Sequence, residues 1–373
     1  MSAALLTAQT KIPKKPTPVP QGFLQQSGAI LQFNSSNKMT AAGNAAVHQQ
    51  HVVSVPYWMG SFTYQGTAYP YSMVGRNPKF GGTTEIDTSL IAISLVFPDY
   101  QDQNGNEITL DVTPLVKKIA NSPNFEPASY DAGYTQFADA VQRAEFYGVM
   151  GHDWHTLLER PRMLTPVTVE VPGADADLFI TPDGTIFAVI DEDFFLSQLN
   201  TIIQLEGLRV SEIPLAVTYN AFLAPNLDLS HCCVGGFHTA LETNTVGNTH
   251  FLQTFAWASW EDAGILANGA ADVTGISHEL GETIDDPFVN NVTPPWQNPN
   301  GSGACGGNVL EIGDPIEVLP NAAYPVTVHG YLYHPQNDAL LQWFSRESPS
   351  SALDHAYSYP NTTLLTAPST GCQ

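Results

Sequence analysis

The chain has 373 residues, of which 43% are hydrophobic, so it is long and apolar enough for one large domain or two ordinary ones. Lys and Arg number 13 against 36 Asp and Glu, which gives a formal net charge of −23. This charge disfavours nucleic acid and anionic membranes as partners, and without a run of about 18 apolar residues no membrane-spanning helix is predicted.

The first part of the chain is predicted to be a tail followed by β-structure. Residues 1–27 are expected to form a flexible tail, because Lys11–Pro18 is basic and rich in proline. Residues 28–166 are predicted to form a β-rich N-terminal region with one long helix. The apolar run Leu90–Phe97 is typical of a strand, and apolar residues with helical spacing predict the helix at 133–149.

Two stretches of this region have metal-like spacing but are expected to be structural. Asp102–Glu107 lies between two strand-like runs and contains Asn-Gly, which predicts a hairpin turn. Its Asp-x-Asn-x-Asn spacing also resembles a calcium loop, although the ligand that an EF-hand needs at position 12 is missing. His152 and His155 are three residues apart and could bind a metal, but such a pair is more often packed or on the surface.

Residues 167–373 are predicted to form a zincin-like metal-site domain with an aromatic, loop-rich C-terminal part. Asp177–Ile190 is expected to be a hairpin that turns at Asp183-Gly184, and Asp193–Leu205 an amphipathic helix. Further strands are predicted at Pro214–Phe222, Gly235–Leu241 and Thr249–Trp257. The predicted fold class is therefore α+β: a zincin-like mixed sheet with a backing helix and an active-site helix, preceded by the β-rich region.

The active-site helix is predicted at Gly275–Pro287, which ends at a proline because the residue before a proline is pushed out of the helical conformation. His278 and Glu282 are four residues apart and therefore point the same way, while Glu279 lies about 100° around the axis. The pattern resembles the zincin helix His-Glu-x-x-His, with Glu282 in place of the second His. We predict His278 and Glu282 as metal ligands and Glu279 as the general base.

A metal site needs further ligands, and the acidic residues Glu311 and Asp314 are predicted to complete this one. The 28 residues between Glu282 and Glu311 are enough chain to return to the helix. The upstream histidines that could supply a ligand instead are His231, His238 and His250. Asp285 and Asp286 extend the acidic stripe beyond the motif, although a solvated acidic helix end is the plain alternative.

The ligand set also affects the choice of metal. Catalytic zinc sites usually have two or three His and at most one carboxylate, so a carboxylate-rich set acidifies a bound water less. We predict Zn²⁺ as the cofactor, with Mn²⁺, Fe²⁺ or Ca²⁺ as alternatives because oxygen ligands favour harder cations.

The segment Gly275–Asp314 reads His-Glu-x-x-Glu, then Asp-Pro, then Glu-Ile-Gly-Asp. It is similar to the phosphate-induced protein/EXORDIUM family and to related secreted bacterial proteins with a zincin-like helix. His231–Thr239 resembles the Cys-containing, His-ending segment of that family, and the resemblance covers roughly residues 130–315. It departs at Pro315-Ile316, where relatives often carry a Cys. The resemblance implies the metal site more than it implies a reaction.

The predicted function is that of a secreted metal-dependent hydrolase, a zincin-like metallopeptidase that uses a metal-bound water. Its substrate would be a protein, a peptide or a cell-wall component, and His238 or Tyr324 could steady the oxyanion. The alternative is a non-enzymatic extracellular or cell-wall-associated binding protein with a structural metal.

The secreted or extracytoplasmic location is predicted from the surface composition. Charged residues are 13% of the chain, about half the usual share, and such a surface suits an extracellular protein. The apolar run Ala3–Leu6 is too short for the core of a signal peptide.

Four cysteines are present, and one or two disulfides are expected. Cys232 and Cys233 are adjacent, which excludes a Cys-x-x-Cys metal or redox site. Cys305 with Cys372 is one candidate pair.

Overall fold

The computed structural model describes residues 13–19, 47, 51–151, 153–266, 269–301 and 307–371. Within these residues the protein is a mixed α+β fold, which confirms the predicted fold class at this level. His152, Cys305 and Cys372 lie outside the described residues, as does most of the predicted N-terminal tail.

The secondary structure consists of short strands, a few long strands and six helices within the described residues. In chain order the strands are β1 (Thr17–Pro18), β2 (Val52–Val53), β3 (Tyr57–Tyr64), β4 (Thr67–Val74), β5 (Thr83–Ile86), β6 (Thr88–Gln101), β7 (Glu107–Leu110), β8 (Ala128–Tyr130), β9 (Gly133–Thr135), β10 (His155–Leu158), β11 (Arg162–Met163), β12 (Val167–Glu170), β13 (Ala176–Ile180), β14 (Ile186–Asp191), β15 (Ile213–Tyr219), β16 (Ala221–Ala224), β17 (Gly236–Val246), β18 (Thr249–Trp260), β19 (Val292–Trp296), β20 (Gly307–Val309), β21 (Val326–Val328), β22 (Tyr331–Tyr333), β23 (Asp338–Ala339) and β24 (Ser358–Tyr359). The helices are α1 (Val116–Ala120), α2 (Phe137–Glu145), α3 (Glu192–Leu205), α4 (Thr274–Asp285), α5 (Asp314–Glu317) and α6 (Leu341–Phe344).

The largest sheet has eight strands and organises the molecule. Its main order is β11-β6-β15-β18-β17, and β2, β7 and β12 pair with strands of this series. β15 is parallel to both β6 and β18, whereas β17 runs antiparallel to β18. β6 precedes residue 166 and β15 follows it, so the predicted domain boundary at residue 166 passes through one continuous sheet.

Both faces of this sheet are covered, which explains why Leu90–Phe97 of β6 and most of β15 are apolar. On one face, Leu90 and Leu215 share a core with α2 and α4. On the other face, Ile91 and Ala216 share a core with Phe195 and further apolar residues of α3. The sheet is therefore the middle layer between helices, with α4 and α3 on opposite sides.

α4 lies on the sheet through an apolar stripe. Ile276, Leu280 and Ile284 recur every four residues, and each is at most 1% exposed. They belong to the same core as Val141 and Ala144 of α2, and α4 contacts β17, β18 and α2. This packing fixes which side of α4 carries the polar residues.

Several local predictions are confirmed and one is corrected. β13 and β14 form the predicted antiparallel hairpin, and β6 and β7 are joined across the predicted turn. In that turn Asp102 Oδ1 accepts hydrogen bonds of 2.8 Å from the N–H groups of Asn104 and Asn106. The helix predicted at 133–149 is shorter, because Gly133 has φ +137° and starts β9, which pairs with β8.

The described part of the predicted tail, the Cys232–Cys233 pair and the C-terminal aromatics each have a defined place. β1 lies in the predicted tail and pairs in parallel with β13. Cys232 and Cys233 are joined to each other by a disulfide, a pairing that sequence analysis had not considered. The C-terminal aromatics are core residues rather than an exposed binding surface, since Trp343 and Tyr359 are 3% and 0% exposed. Among the described helices, none is both long and apolar enough to cross a membrane.

Candidate metal centre

The candidate site lies where α4, the edge strand β17 and the turn before α5 meet. α4 supplies His278, Glu279 and Glu282, and β17 supplies His238. Glu311, in the turn that precedes α5, and Asp314, the first residue of α5, are the remaining acidic residues of the site. The polar side of α4 therefore faces residues that are distant in sequence.

The first group of ligand atoms comes from His278, Glu282 and Asp314. His278 Nε2 is 3.2 Å from Glu282 Oε1 and 3.6 Å from Asp314 Oδ1. One ligand atom from each of the three residues lies within 4.8 Å of the others. An imidazole nitrogen and two carboxylate oxygens at this spacing can surround a single divalent cation.

The second group comes from His238, Glu279 and Glu282. His238 Nδ1 is 3.3 Å from Glu282 Oε2 and 3.5 Å from Glu279 Oε2, and the three ligand atoms again lie within 4.8 Å. Glu282 is thus common to both groups. From the sequence, His238 was one of three unranked upstream alternatives for a ligand and one of two candidates for steadying the oxyanion.

Glu311 takes a different place from Asp314. Its Oε2 atom is 3.8 Å from His238 Nε2, and it is not in the group around His278. Its side chain is 20% exposed, whereas those of His278, Glu279 and Glu282 are at most 4% exposed. Glu311 therefore stands at the solvent-facing edge of an otherwise buried site.

Two glycines allow the backbone to approach the ligands closely. A Cβ atom on Gly236 would lie 2.6 Å from Glu279 Cγ, and one on Gly313 would lie 2.6 Å from His278 Nδ1. The N–H of Gly313 also donates a 2.9 Å hydrogen bond to Glu282 Oε1. The backbone of Gly236 therefore packs against Glu279 and that of Gly313 against His278, which limits the positions that these two side chains can take.

Burial and neighbouring charges act in opposite directions on the two histidines. Burial lowers the pKa of His278, but Glu282 and Glu279 raise it more, so the pKa lies well above its ordinary value. Burial likewise lowers the pKa of His238, while Glu311 and Glu279 help to raise it well above the ordinary value. Both imidazoles therefore lie in a strongly negative environment that also favours metal cations.

The carboxylates of the site differ from one another. Burial raises the pKa of Glu282, but His278 and His238 lower it more, so the pKa lies below its usual range. Burial raises the pKa of Glu279 and the histidines only partly offset this. Burial and the charge of Glu282 raise the pKa of Asp314 well above its usual value. Glu282 is thus the most readily ionised of the three.

The end of α4 is buried rather than solvated, which argues against the plain alternative of a solvated acidic helix end. Asp285 Oδ1 accepts a 2.9 Å hydrogen bond from Gln142 Nε2. The two oxygens of Asp286 accept 3.0 Å hydrogen bonds from the N–H groups of Asn290 and Asn291. Neither aspartate is in the two ligand groups, so the acidic stripe predicted beyond the motif has other contacts.

The other candidates named from sequence lie elsewhere. His250 Nδ1 is 3.2 Å from Glu242 Oε1, near the far end of β17. His155 Nδ1 is 2.8 Å from Asp139 Oδ2. The ring of Tyr324 packs near Tyr130 at a centroid distance of 6.3 Å. The side chain of His231 is outside the described part of the chain.

Comparison with protein-family models, with curated proteins and with solved structures finds no match. The resemblance of Gly275–Asp314 to the phosphate-induced protein/EXORDIUM family therefore stays a prediction. The assignment of the metal centre is based on the positions of the residues themselves.

Proposed function

We propose that the protein is a metal-dependent hydrolase of the zincin-like type, in which His278, Glu282 and Asp314 hold a divalent cation. The observation that carries this proposal is the convergence of one nitrogen and two carboxylate oxygens within 4.8 Å beside a further buried carboxylate, that of Glu279. Zn²⁺ is the proposed cofactor, and Mn²⁺, Fe²⁺ and Ca²⁺ are alternatives that the carboxylate oxygens favour.

Glu279 is the proposed general base. Its Oε1 atom is 4.0 Å from His278 Nε2, so it faces the same space as the ligands. A divalent cation bound at this place would acidify water and polarise a carbonyl group. Glu279 would accept a proton from the attacking water and pass it to the leaving group, and burial, which raises its pKa, makes it a stronger base than an exposed carboxylate.

The substrate class and location belong to the same proposal. A protein, a peptide or a cell-wall component is the proposed substrate, and the protein is proposed to be secreted and EXORDIUM-like. The order of motifs from His231 to Asp314 supports the family, and the small share of charged residues supports an extracellular surface.

The second candidate function is a binding protein with a structural metal. Side-chain exposures of at most 4% for His278, Glu279 and Glu282 favour it, since structural sites are closed to solvent. The exposed edge at Glu311 favours the hydrolase. The two functions differ in whether the loaded protein cleaves a substrate.

The test is the substitution Glu279→Gln, assayed by cleavage of a denatured protein with and without a chelator. We expect the variant to retain metal at His278 and to lose cleavage by about 10²–10⁴-fold, the usual size of a general-base contribution. The matched control is Glu242→Gln, because Glu242 is on β17 but pairs with His250 away from the site.

Cleavage by Glu279→Gln at the wild-type rate would show that the base assignment is wrong. A wild-type protein that binds metal, loses thermal stability on chelation and cleaves nothing would instead be the structural-metal protein.

A further inference from the structure

Glu282 is placed between two histidines that come from different elements. Its Oε1 atom is 3.2 Å from His278 Nε2, and its Oε2 atom is 3.3 Å from His238 Nδ1. A carboxylate whose two oxygens face two separate nitrogen donors has the geometry of a bridge between two cations. Such paired cations lie about 3.5–4 Å apart in metalloenzymes.

We propose that the centre binds two divalent transition-metal ions bridged by Glu282, an inference that extends the metal site of the proposed function. One ion would be held by His278 and Asp314, and the other by His238 and Oε2 of Glu279, which leaves Oε1 of Glu279 as the proton acceptor of the proposed function. Each group supplies, with Glu282, one nitrogen and two oxygens within 4.8 Å.

Glu279 also lies between the two groups. Its Oε2 atom is 3.5 Å from His238 Nδ1, and its Oε1 atom is 4.0 Å from His278 Nε2. A single ion at His278 would leave His238, Glu279 Oε2 and Glu282 Oε2 without a role in metal binding. A two-ion site uses the ligand atoms of both groups.

The charge of the site favours two ions over one. Within the described part of the chain, the ion pairs of Glu279, Glu282, Glu311 and Asp314 are all formed with His238 and His278. With neutral histidines, one divalent ion balances two of the four carboxylates and two ions balance all four. Uncompensated charges in a buried site are strongly unfavourable, so the second ion has a clear electrostatic role.

The second nitrogen of His238 gives independent support. Nε2 is buried, has no hydrogen-bond partner, and lies 3.8 Å from Glu311 Oε2. A histidine that binds metal through one nitrogen commonly directs its other N–H at a carboxylate, which orients the ring. Glu311 is therefore a positioning residue for His238 in the two-ion site, rather than a ligand of the ion at His278.

The donor set indicates the class of cation. Two imidazoles and three carboxylates favour Mn²⁺ or Fe²⁺, because oxygen-rich sets select harder ions than thiolate or all-His sets do. Di-iron and di-manganese carboxylate proteins of other folds use a related set of two His and four Glu. Mn²⁺ is the practical probe because it is paramagnetic and does not require anaerobic handling.

The experiment uses the full chain, stripped with a chelator and reloaded with Mn²⁺, followed by elemental analysis and electron paramagnetic resonance. We expect two Mn²⁺ per wild-type chain with a spin-coupled signal. His238→Ala and Asp314→Ala should each retain one uncoupled ion, and Glu282→Gln should lose the coupling and bind both ions at least 100-fold more weakly. Glu242→Gln should behave as the wild type.

One Mn²⁺ per wild-type chain, or two ions without coupling, would overturn the inference without reference to any variant. Retention of two coupled ions by folded His238→Ala would overturn it as well. The hydrolase proposal fails separately: a chain with two coupled ions that cleaves nothing supports the two-ion centre and contradicts the hydrolase. A chain that cleaves a substrate while it holds only one ion supports the hydrolase and contradicts the two-ion centre.

Discussion

Gly313 lies against two residues of the candidate metal centre without being one of the proposed ligands. Its N–H donates to Glu282 Oε1 at 2.9 Å, and its missing side chain leaves room for the ring of His278. The backbone of this turn therefore sets the distance between α4 and Asp314. A change of a few tenths of an ångström here would move two ligands relative to each other.

Gly313→Ala should weaken metal binding by at least tenfold, because its Cβ atom would lie 2.6 Å from His278 Nδ1. Calorimetric titration of the metal-free protein measures the change. The matched control is Gly275→Ala at the start of α4, where the nearest atoms to a Cβ are at 3.6 Å. That control should bind metal with the wild-type affinity. Its free energy of unfolding should equal or exceed that of the wild type, since Ala favours helix by about 0.5–1 kcal/mol over Gly. Equal metal affinity in both variants would contradict the assigned role of Gly313.

At the scale of elements, α4 must be held firmly on the sheet for its polar side to meet β17. Leu280 lies between His278 and Glu282 in sequence but points into the core, where it is 1% exposed. Gly281, one residue later, faces Asp338, with the nearest carboxylate oxygen 3.1 Å from where a Cβ would be. The helix is thus packed on the sides that do not carry ligands.

Leu280→Ala should lower the free energy of unfolding by about 2–5 kcal/mol, because it leaves a cavity under the helix. Leu205→Ala at the end of α3 is the control, since Leu205 is 79% exposed and should change stability little. Chemical denaturation of both metal-free variants gives the comparison. If Leu280→Ala unfolds at the wild-type denaturant concentration, α4 is not held by this stripe.

The sequence predicts correctly those elements that have local signals, such as turn residues or helical spacing. Its predictions fail where a segment pairs with another strand. The β13–β14 hairpin and α4 follow from turn residues and from four-residue spacing, so both are found where expected. The helix before residue 150 was predicted too long, because pairing between β8 and β9 overrides its helical pattern.

The residue cluster of the candidate metal centre was predictable only in part for the same reason. His278, Glu279 and Glu282 are neighbours on one helix, and their spacing reveals them. His238 reaches them through the pairing of β17 with β18, which no local pattern encodes. A signal did exist, since a histidine between Phe237 and Ala240 in an apolar strand is a buried polar group that needs a partner.

At the scale of the whole molecule, some of the acidic residues are buried and others are on the surface. Burial, with the charges of Glu317 and Asp272, raises the pKa of Glu261 to about 8 against the opposing effect of His278. Burial raises the pKa of Asp286 to about 7. Each unit of difference from the unfolded value corresponds to about 1.4 kcal/mol. The metal-free fold is therefore sensitive to pH within the physiological range.

The metal-free protein should melt several degrees lower at pH 8 than at pH 5.5. Glu261 has a folded pKa of about 8 against 4.5 for the free group, so the folded state binds more protons in this window. Its stability therefore falls as pH rises. The raised pKa values of His238 and His278 act in the same direction, and Glu282, whose pKa is lowered, adds stability that is lost only below about pH 4.5.

Differential scanning calorimetry in a chelator measures this pH dependence, and Glu261→Gln should reduce it. The melting temperature of the metal-loaded protein should decrease less between pH 5.5 and pH 8, because cations favour the deprotonated ligands. A melting temperature of the metal-free protein that increases from pH 5.5 to 8 would contradict the buried acid assignments.

The parallel pairing of β6 with β15 also determines the order in which the protein can be assembled during synthesis. Thr88 is paired with Ile213, which the ribosome adds 125 residues later. At about 5–20 residues per second, β6 waits roughly ten seconds for its neighbour. β7, β11 and β12 can pair with β6 before then, but the edge of Thr88–Ala92 that faces β15 stays open and could pair with other chains. His238 and α4 follow still later, so the proposed metal ligands come together only after both β6 and β15 have been made.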